Sequence, residues 1–514
     1  MPATYLAPGV YVEEVSGGSR PIEGAGTAVA AFVGLAEKGP FNTPTLCSNW
    51  TQFVNTFGGF TEGCYLAHAV YGYFLNGGGN SFIVRIGGED GAAPVSQAEL
   101  GTGPDAKLNG YRISALEPGP AGNDITVETQ EQTGEGVPDD TFKMIVKKGG
   151  KVEETFDNLT PKKTKQNAVT VVNAQSKLIR LEEIRTGPIE KVGRATVALS
   201  GGTAPTPSRL RADDYVGDPA DRTGFGGLET IDTVTMVSVP DLMSAYIAGQ
   251  IDSEGVQAVQ LGMIAHCEQM GDRMAILDPP PNLNAQQVRE WRVDKAGYDS
   301  KYAALYWPWI KVADPATGST TFVPPSGHMA GIWARTDATR GVHKAPANEV
   351  VRGAITLEFA CTRTEQELLN PEGINLVKAF PGRGIRVWGA RTLSSDPEWR
   401  YLNVRRLFNY LEKSILNGTD WAVFEPNDWM LWSALKRNIS SFLSLSWRSG
   451  ALFGLTPDQA FFVKCDEETN PPEVIDAGQV ICEIGVAPTK PAEFVIFRLS
   501  QWSGGGGEAA EGAE

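Results

Sequence analysis

Apolar positions change period several times along this chain, and the changes divide it into segments. Two strand-like runs lie near its ends. Pro8-Gly9-Val10-Tyr11-Val12-Glu13-Glu14-Val15 precedes a Ser/Gly-rich stretch, and the run from Glu493 to Trp502 alternates at period two. In the second run Phe494 and Ile496 fall on one face and Val495, Phe497 and Leu499 on the other. Both faces are apolar, so as a strand it predicts a sheet to pair with. Burying each such side chain stabilises by roughly 1.5–3 kcal/mol, whereas chain ends are ordinarily loose unless something ties them down. The tail from Ser503 onward, rich in Gly, Glu and Ala, carries no ordering pattern.

Between these ribbons the first periodic stretch is mixed. It predicts a strand at Ala28–Leu35, a short helix at Ser48–Phe57 capped by Ser48, a helix at Cys64–Phe74 and a strand at Ser81–Ile86. From about 90 to 205 short β-like pieces alternate with turns: Ile125–Thr129, Phe142–Val146, Val152–Phe156, Lys177–Leu181 and Ala195–Leu199. Gly149-Gly150 between two of them predicts a hairpin. Beyond 228 strands and helices alternate: strand Ile231–Val239, helix Ser253–Met270, strand Arg273–Leu277, helix Asn284–Lys295 and extended Tyr302–Ile310, with Ile374–Phe380 and Gly384–Trp388 adding to them. That alternation implies βαβ units and a largely parallel sheet.

Near the C-terminus, Asp396-Pro397-Glu398 predicts a helix start, with Tyr401, Val404, Leu407, Phe408, Leu411 and Ile415 on one stripe and a stop at Asn417-Gly418. A second helix is expected from Asn427-Asp428 to Gly450, then strands around Ala460–Lys464 and Val480–Val486. The fold expected is α/β multidomain: an N-terminal arm (1–25), an α/β core (26–89 and 206–395), an inserted β-rich domain (90–205), an α+β C-terminal domain (396–490), and a C-terminal strand arm with a flexible tail (491–514).

At 514 residues the chain is too long for one core and suggests roughly three domains. A formal net charge of −16 argues against nucleic acid as a partner and against anionic membrane. No basic segment followed by an apolar run marks an export signal, and no run approaches the roughly 18–20 apolar residues that span a bilayer. The six cysteines (47, 64, 267, 361, 465 and 482) lack CxxC spacing and read as reduced thiols made in a cytosol.

Candidate chemistry is sparse. No GxxxxGK[ST], GxSxG or HExxH occurs, and Gly224-Phe225-Gly226-Gly227 reads as a turn ahead of a strand. The four histidines (68, 266, 328 and 343) have no metal-ligand spacing. Asp241 and Asp278 follow strands expected to be parallel neighbours, where open α/β sheets hold ligands. They could do acid/base work there, or serve as helix caps and turn formers. Lys436, Arg437 and Arg448, with Arg405, Arg406 and Lys413, make the C-terminal helices basic in an acidic protein, which suits either solvated faces or docking to an acidic partner.

An ordered set of segments carries a family resemblance. It includes Tyr5-Leu6-Ala7-Pro8-Gly9-Val10-Tyr11-Val12, Ala212-Asp213-Asp214-Tyr215-Val216-Gly217 and Gly341-Val342-His343-Lys344-Ala345-Pro346-Ala347-Asn348. It continues with Gly384-Ile385-Arg386-Val387-Trp388-Gly389-Ala390-Arg391-Thr392, Asn403-Val404-Arg405-Arg406-Leu407-Phe408, Phe424-Glu425-Pro426-Asn427-Asp428 and Lys490-Pro491-Ala492-Glu493-Phe494. Together they resemble the contractile tail sheath family of phages and phage-like injection systems.

The resemblance implies a homo-oligomeric structural protein with no catalytic residues, cofactor or metal. Hexameric rings stack helically around an inner tube protein and contract from a metastable extended state, driving the tube through a target envelope. Baseplate and terminal cap proteins are further implied partners, with no nucleic acid and no direct membrane insertion. Assembly would be cytoplasmic, in a particle that ends as a virion, an extracellular injector or a cell-retained one. Val10, Tyr11 and Val12, with Phe494, Val495, Ile496, Phe497 and Leu499, would be exchanged as β-strands between subunits. The tube-facing surface would fall on Lys436 and Arg437, with Arg405, Arg406 and Lys413.

Overall fold

In the computed structural model, residues 21–87, 97–99, 111–116, 120–132, 138, 140–184, 192–202, 210–314 and 318–498 are described. The run Ala30-Ala31-Phe32-Val33-Gly34 forms a strand, and all five residues are buried, as expected of a strand covered on both faces. It pairs in parallel with Ser81–Arg85 on one side and Met236–Ser238 on the other. Met274–Leu277, Ala303–Trp307 and Ile374–Phe380 continue the parallel series. Thr45–Cys47 and Gly384–Val387 close the two edges antiparallel, making eight strands. One sheet is therefore built from chain segments on both sides of residues 90–205.

The period-two alternation sorts side chains between two cores. Ala31, Val33, Val237, Leu277, Leu305 and Trp307 meet the helix Ser253–Met270, whose Val256, Val259, Met263 and Cys267 face them. On the other face Phe32, Met236, Ile276 and Tyr306 meet the helices Trp50–Phe57, Leu66–Leu75 and Ser326–Arg340. The result is a three-layer α/β/α arrangement.

Residues 97–199 carry two antiparallel sheets, one of four strands and one of three. Tyr111, Ile113, Val127, Met144, Val146 and Leu181 belong to a core of their own. The hairpin joins Phe142–Lys148 to Lys151–Leu159 through Gly149 (φ 56°) and Gly150 (φ 80°). Two successive positive φ angles make the turn, and a glycine pair takes them without strain. In the C-terminal unit, Leu402–Thr419 and Trp429–Arg448 pack through Leu407, Leu411, Ile439, Phe442 and Leu443. Phe461–Lys464 and Glu483–Val486 add a two-stranded sheet.

Several element boundaries differ from the sequence reading. Asn49, not Ser48, caps the first helix by accepting from Gln52 N. The strand expected at Ile231–Val239 is only Met236–Ser238, and the helix expected at Asn284–Lys295 is an α-helix at Ala285–Glu290 running into a π-helix at Trp291–Ala296. The helix expected from Asp396 begins at Leu402. Bonds from Thr392 N to Arg400 O and from Leu402 N to Ala390 O hold the preceding chain extended, so Asp396 makes a turn instead, accepting from Glu398 N. That helix runs past Gly418 to Thr419, and Gly418 is required by close packing: a Cβ there would lie 2.6 Å from Ile22. The sheet of Thr320–Val323, Ile310–Ala313 and Ala354–Leu357 had no counterpart in the sequence reading.

Candidate interaction surface

The C-terminal ribbon is moored at its root and, among the described residues, has no strand partner beyond it. Thr489 N donates to Ala451 O at 3.2 Å, and Asn403 Nδ2 donates to Thr489 O at 3.2 Å. Arg391 then grips Glu493 through both carboxylate oxygens, Nε to Oε1 at 2.9 Å and a terminal nitrogen to Oε2 at 2.5 Å. Asn370 Nδ2 adds a third bond at 2.9 Å. Immediately afterwards Phe494, Val495, Ile496 and Phe497 are 71, 69, 80 and 84% exposed. Among the described residues they pair with no strand. Four consecutive large apolar side chains in water beside a fixed anchor are the signature of an unfilled contact. A cavity of about 760 Å³ lies under the ribbon between Trp388, Tyr401, His343 and residues 489–495. Leu499 and the N-terminal Val10, Tyr11 and Val12 lie outside the described residues.

Burial pushes the Glu493 carboxyl up, but the hydrogen bonds from Arg391 and Asn370 outweigh it and hold the group below its usual range. With its folded value depressed, the clamp contributes stability above the ordinary carboxylate range, which is lost as pH falls through the folded value. Glu493→Gln is therefore expected to lower the local opening free energy by about 1–2 kcal/mol, a charged hydrogen-bond contribution discounted for partial exposure. Faster amide exchange at Thr489 in the variant would register it; an unchanged rate would mean that the clamp does not hold the ribbon.

The same unit presents an open sheet edge. Phe461–Lys464 pairs antiparallel with Glu483–Val486, matching Phe461 to Val486 and Lys464 to Glu483. Its other edge has no strand partner among the described residues. The far side of the second strand is partly closed where Phe453 N donates to Ala487 O at 2.8 Å. A two-stranded sheet is marginal by itself, and an open edge is a template for another strand. Phe462 on the open strand, with Phe453 and Leu455 in the loop leading to it, is largely exposed.

The basic residues divide. Lys436 and Arg437 are exposed on the helix Trp429–Arg448. Arg405, Arg406 and Lys413 are not available as a docking face, because each faces inward. Arg405 is buried beneath the Trp399 ring, 4.5 Å from its centroid, and bonds Asn409 Oδ1 at 2.6 Å. Arg406 makes two bonds to Asp337, at 2.9 and 2.6 Å, and lies over Trp333. Lys413 pairs with Asp272 and also donates to the Asp232 carbonyl. The signal was present in the sequence: Arg405-Arg406 sits inside the apolar stripe of Val404 and Leu407.

Asp241 and Asp278 do follow parallel neighbours, Met236–Ser238 and Met274–Leu277. Both are buried and fully engaged as structural acceptors. Asp241 takes the N–H of Leu35 at 2.7 Å and those of Tyr65 and Leu66, joining the end of the first strand to the helix Leu66–Leu75. Asp278 accepts from Ser326 N at 3.0 Å and from Ser326 Oγ at 2.5 Å, securing the first turn of Ser326–Arg340. Burial raises Asp241 to about 6 and Asp278 to about 7, opposed by these same donors. The acid/base alternative is thus replaced by capping, the other use of Asp in such turns. Among the described residues no group of three His, Cys, Asp or Glu side chains is placed to hold a metal ion, and no helix is long and apolar enough to cross a membrane.

Residues 229–393 match the phage tail sheath protein central domain, and residues 394–501 match the phage tail sheath C-terminal domain. The tail sheath protein of Burkholderia phage BcepMu is 26% identical over 522 residues, covering 97% of each chain. That of Vibrio phage KVP40 is 26% identical over 392 residues, 70% of this chain but only 54% of the phage protein. Among solved structures, the sheath complex of an extracellular contractile injection system, PVC, in its contracted state shares the fold. Its TM-score is 0.58 at 23% identity, covering 98% of this chain and 99% of that one. The sheath tail protein of Desulfitobacterium hafniense gives 0.61 at 12% identity, over 89 and 93% of the two chains. The two domain matches adjoin and span more than half of the sequence, through the unit that carries the clamped ribbon and the open sheet edge. The chain belongs to the phage tail sheath family, whose members are structural proteins and not enzymes.

Proposed function

We propose that copies of this sheath protein polymerise as stacked hexameric rings around an inner tube, and that the stack contracts from a metastable extended state to drive the tube through a target envelope. The observation that carries this reading is a mismatch within one subunit. Among the described residues each copy has an exposed ribbon, Phe494 to Phe497, and an edge without a strand partner, Phe461–Lys464. A ribbon from one subunit laid on the edge of the next is β-augmentation. Because donor and acceptor are different surfaces, the contact is heterologous and propagates instead of closing. The N-terminal run Val10-Tyr11-Val12 would serve as a second exchanged strand.

Each main-chain hydrogen bond nets only about 0.5–1.5 kcal/mol, but repetition over every subunit makes a mesh able to survive rearrangement. The sequence carries no P-loop, and the work of contraction is assigned to packing energy stored at assembly. Baseplate and cap proteins would bound the stack at its ends.

The exposed pair Lys436 and Arg437 is the face we assign to the tube. Lys436→Glu together with Arg437→Glu should leave the subunit's thermal unfolding unchanged, since both side chains lie in solvent. Coexpressed with its tube protein, the double variant should yield no tube-filled rods by negative-stain microscopy. Filled rods of normal width would remove these residues from the tube interface.

A further inference from the structure

Cys465 and Cys482 flank the two-stranded sheet at the end where the connection between its strands, which holds the short helix Pro472–Asp476, begins and returns. The register pairs Lys464 with Glu483, so the next opposed pair is Cys465 with Cys482. Ala487 N donates to Ala460 O, which makes that rung a hydrogen-bonded one. Cys465 and Cys482 directly follow the last pair of the register, and opposed Cα atoms of an antiparallel pair lie about 4.5–5.5 Å apart with their side chains on one face. That separation is within the range a disulfide bridges, about 4.4–6.8 Å.

Side-chain contacts agree with the register. Both cysteines pack into one cluster with Leu431, Trp432 and Leu435. Each cysteine bears on the ionisation of the other, as adjoining thiols do. Asn470 braces the same point: its Nδ2 contacts Cys465 Sγ at 3.8 Å and the Ile481 carbonyl at 3.0 Å, while Ile481 N returns a bond at 2.6 Å. Cys465 is buried and Cys482 is half-buried, so one of the pair is open to a small reagent.

We propose that Cys465 and Cys482 form a reversible cross-strand disulfide when the protein meets an oxidising pool of low-molecular-weight disulfide, such as oxidised glutathione. The Cys482 thiolate attacks one sulfur of the reagent and expels a reduced thiol, leaving a mixed disulfide. The Cys465 thiolate then attacks the protein-side sulfur and expels the second reduced thiol. Two protein thiols are oxidised, one small disulfide is reduced to two thiols, and two protons pass from the protein thiols to the leaving thiolates. The bridge closes the loop 465–482 and staples the strand whose outer edge is vacant. It stands on the register and the shared side-chain cluster, independent of how the sheath assembles.

Burial raises both thiols, Cys482 to about 12, with Lys436 opposing the shift in each and Asp466 adding to it at Cys465. Attack is therefore slow at neutral pH and should accelerate roughly tenfold per pH unit as the thiolate fraction grows. The test uses the native full-length protein incubated with oxidised glutathione, then alkylated and digested without reduction. The expected result is a linked Cys465–Cys482 peptide and an intact mass lower by about 2 Da, both reversed by dithiothreitol. In Cys465→Ser the reaction should halt at glutathione on Cys482. Full alkylation of both cysteines after long incubation overturns the proposal, as does linkage that appears only in denaturant.

Discussion

Phe494→Asp combined with Ile496→Asp is expected to leave a normally folded subunit that no longer forms rods. In the single chain both side chains are mostly in water, at 71 and 80% exposure, so their replacement removes almost no burial. The thermal midpoint should stay within the range of ordinary surface substitutions, about 0.5 kcal/mol. In the assembly the same two side chains would each contribute about 1.5–3 kcal/mol by burial. Losing about 3–6 kcal/mol per contact corresponds to roughly 10²–10⁴-fold weaker association, before any cost of burying two carboxylates. Sedimentation and negative-stain microscopy of variant and parent distinguish the outcomes. Rods of unaltered yield would show that this ribbon does not join subunits, and deletion of residues 1–20 tests the N-terminal ribbon in the same way.

The second large effect is expected inside the subunit. Arg406 and Asp337 are each 4% exposed and joined by two short hydrogen bonds. Arg406 also donates to the Thr27 carbonyl at 3.1 Å, just ahead of the first strand of the large sheet. One guanidinium thus fastens the helix Leu402–Thr419 to Ser326–Arg340 and to the incoming chain. Removing either partner leaves a buried charge uncompensated, at a cost of about 3–5 kcal/mol, a large fraction of the roughly 5–15 kcal/mol that holds a typical fold. Arg406→Met or Asp337→Leu alone should make the protein markedly more sensitive to protease and heat. The double variant should be milder than the worse single variant, because no lone charge remains. If the double is as damaged as the sum of the singles, packing and not charge pairing holds the helices together.

Strands of the large sheet were legible because their runs are apolar without interruption, as in Ala303-Ala304-Leu305-Tyr306-Trp307, and both faces are covered. The Gly149-Gly150 hairpin and the helix start at Asn427-Asp428 were legible because each depends on residue types with one local purpose. Where reading failed, a distant segment overrode a local signal. Asp396-Pro397 has the chemistry of a helix start, but the 390–392 stretch captures the following residues by backbone pairing. Charge misled for a related reason. Periodicity places Arg405 and Arg406 on a helix, yet not against Trp399 or Asp337, which reach them only through tertiary packing. The free ribbon was the most legible feature, since alternating apolar faces in Phe494–Phe497 need no knowledge of the fold to be noticed. The open edge was not, because strands Phe461–Lys464 and Glu483–Val486 do not disclose in sequence that no third strand joins them among the described residues.

The interleaved sheet also sets a timetable for synthesis. Ala30–Gly34 can pair with Ser81–Arg85 as soon as both have left the ribosome, but its other neighbour, Met236–Ser238, comes far later. At about 5–20 residues per second the interval is on the order of ten seconds. During it an apolar strand edge stands open while the intervening unit, which has a core of its own, can already collapse. A nascent chain of this protein therefore passes through a half-built sheet at every round of translation, a stage at which holdase chaperones would find their substrate.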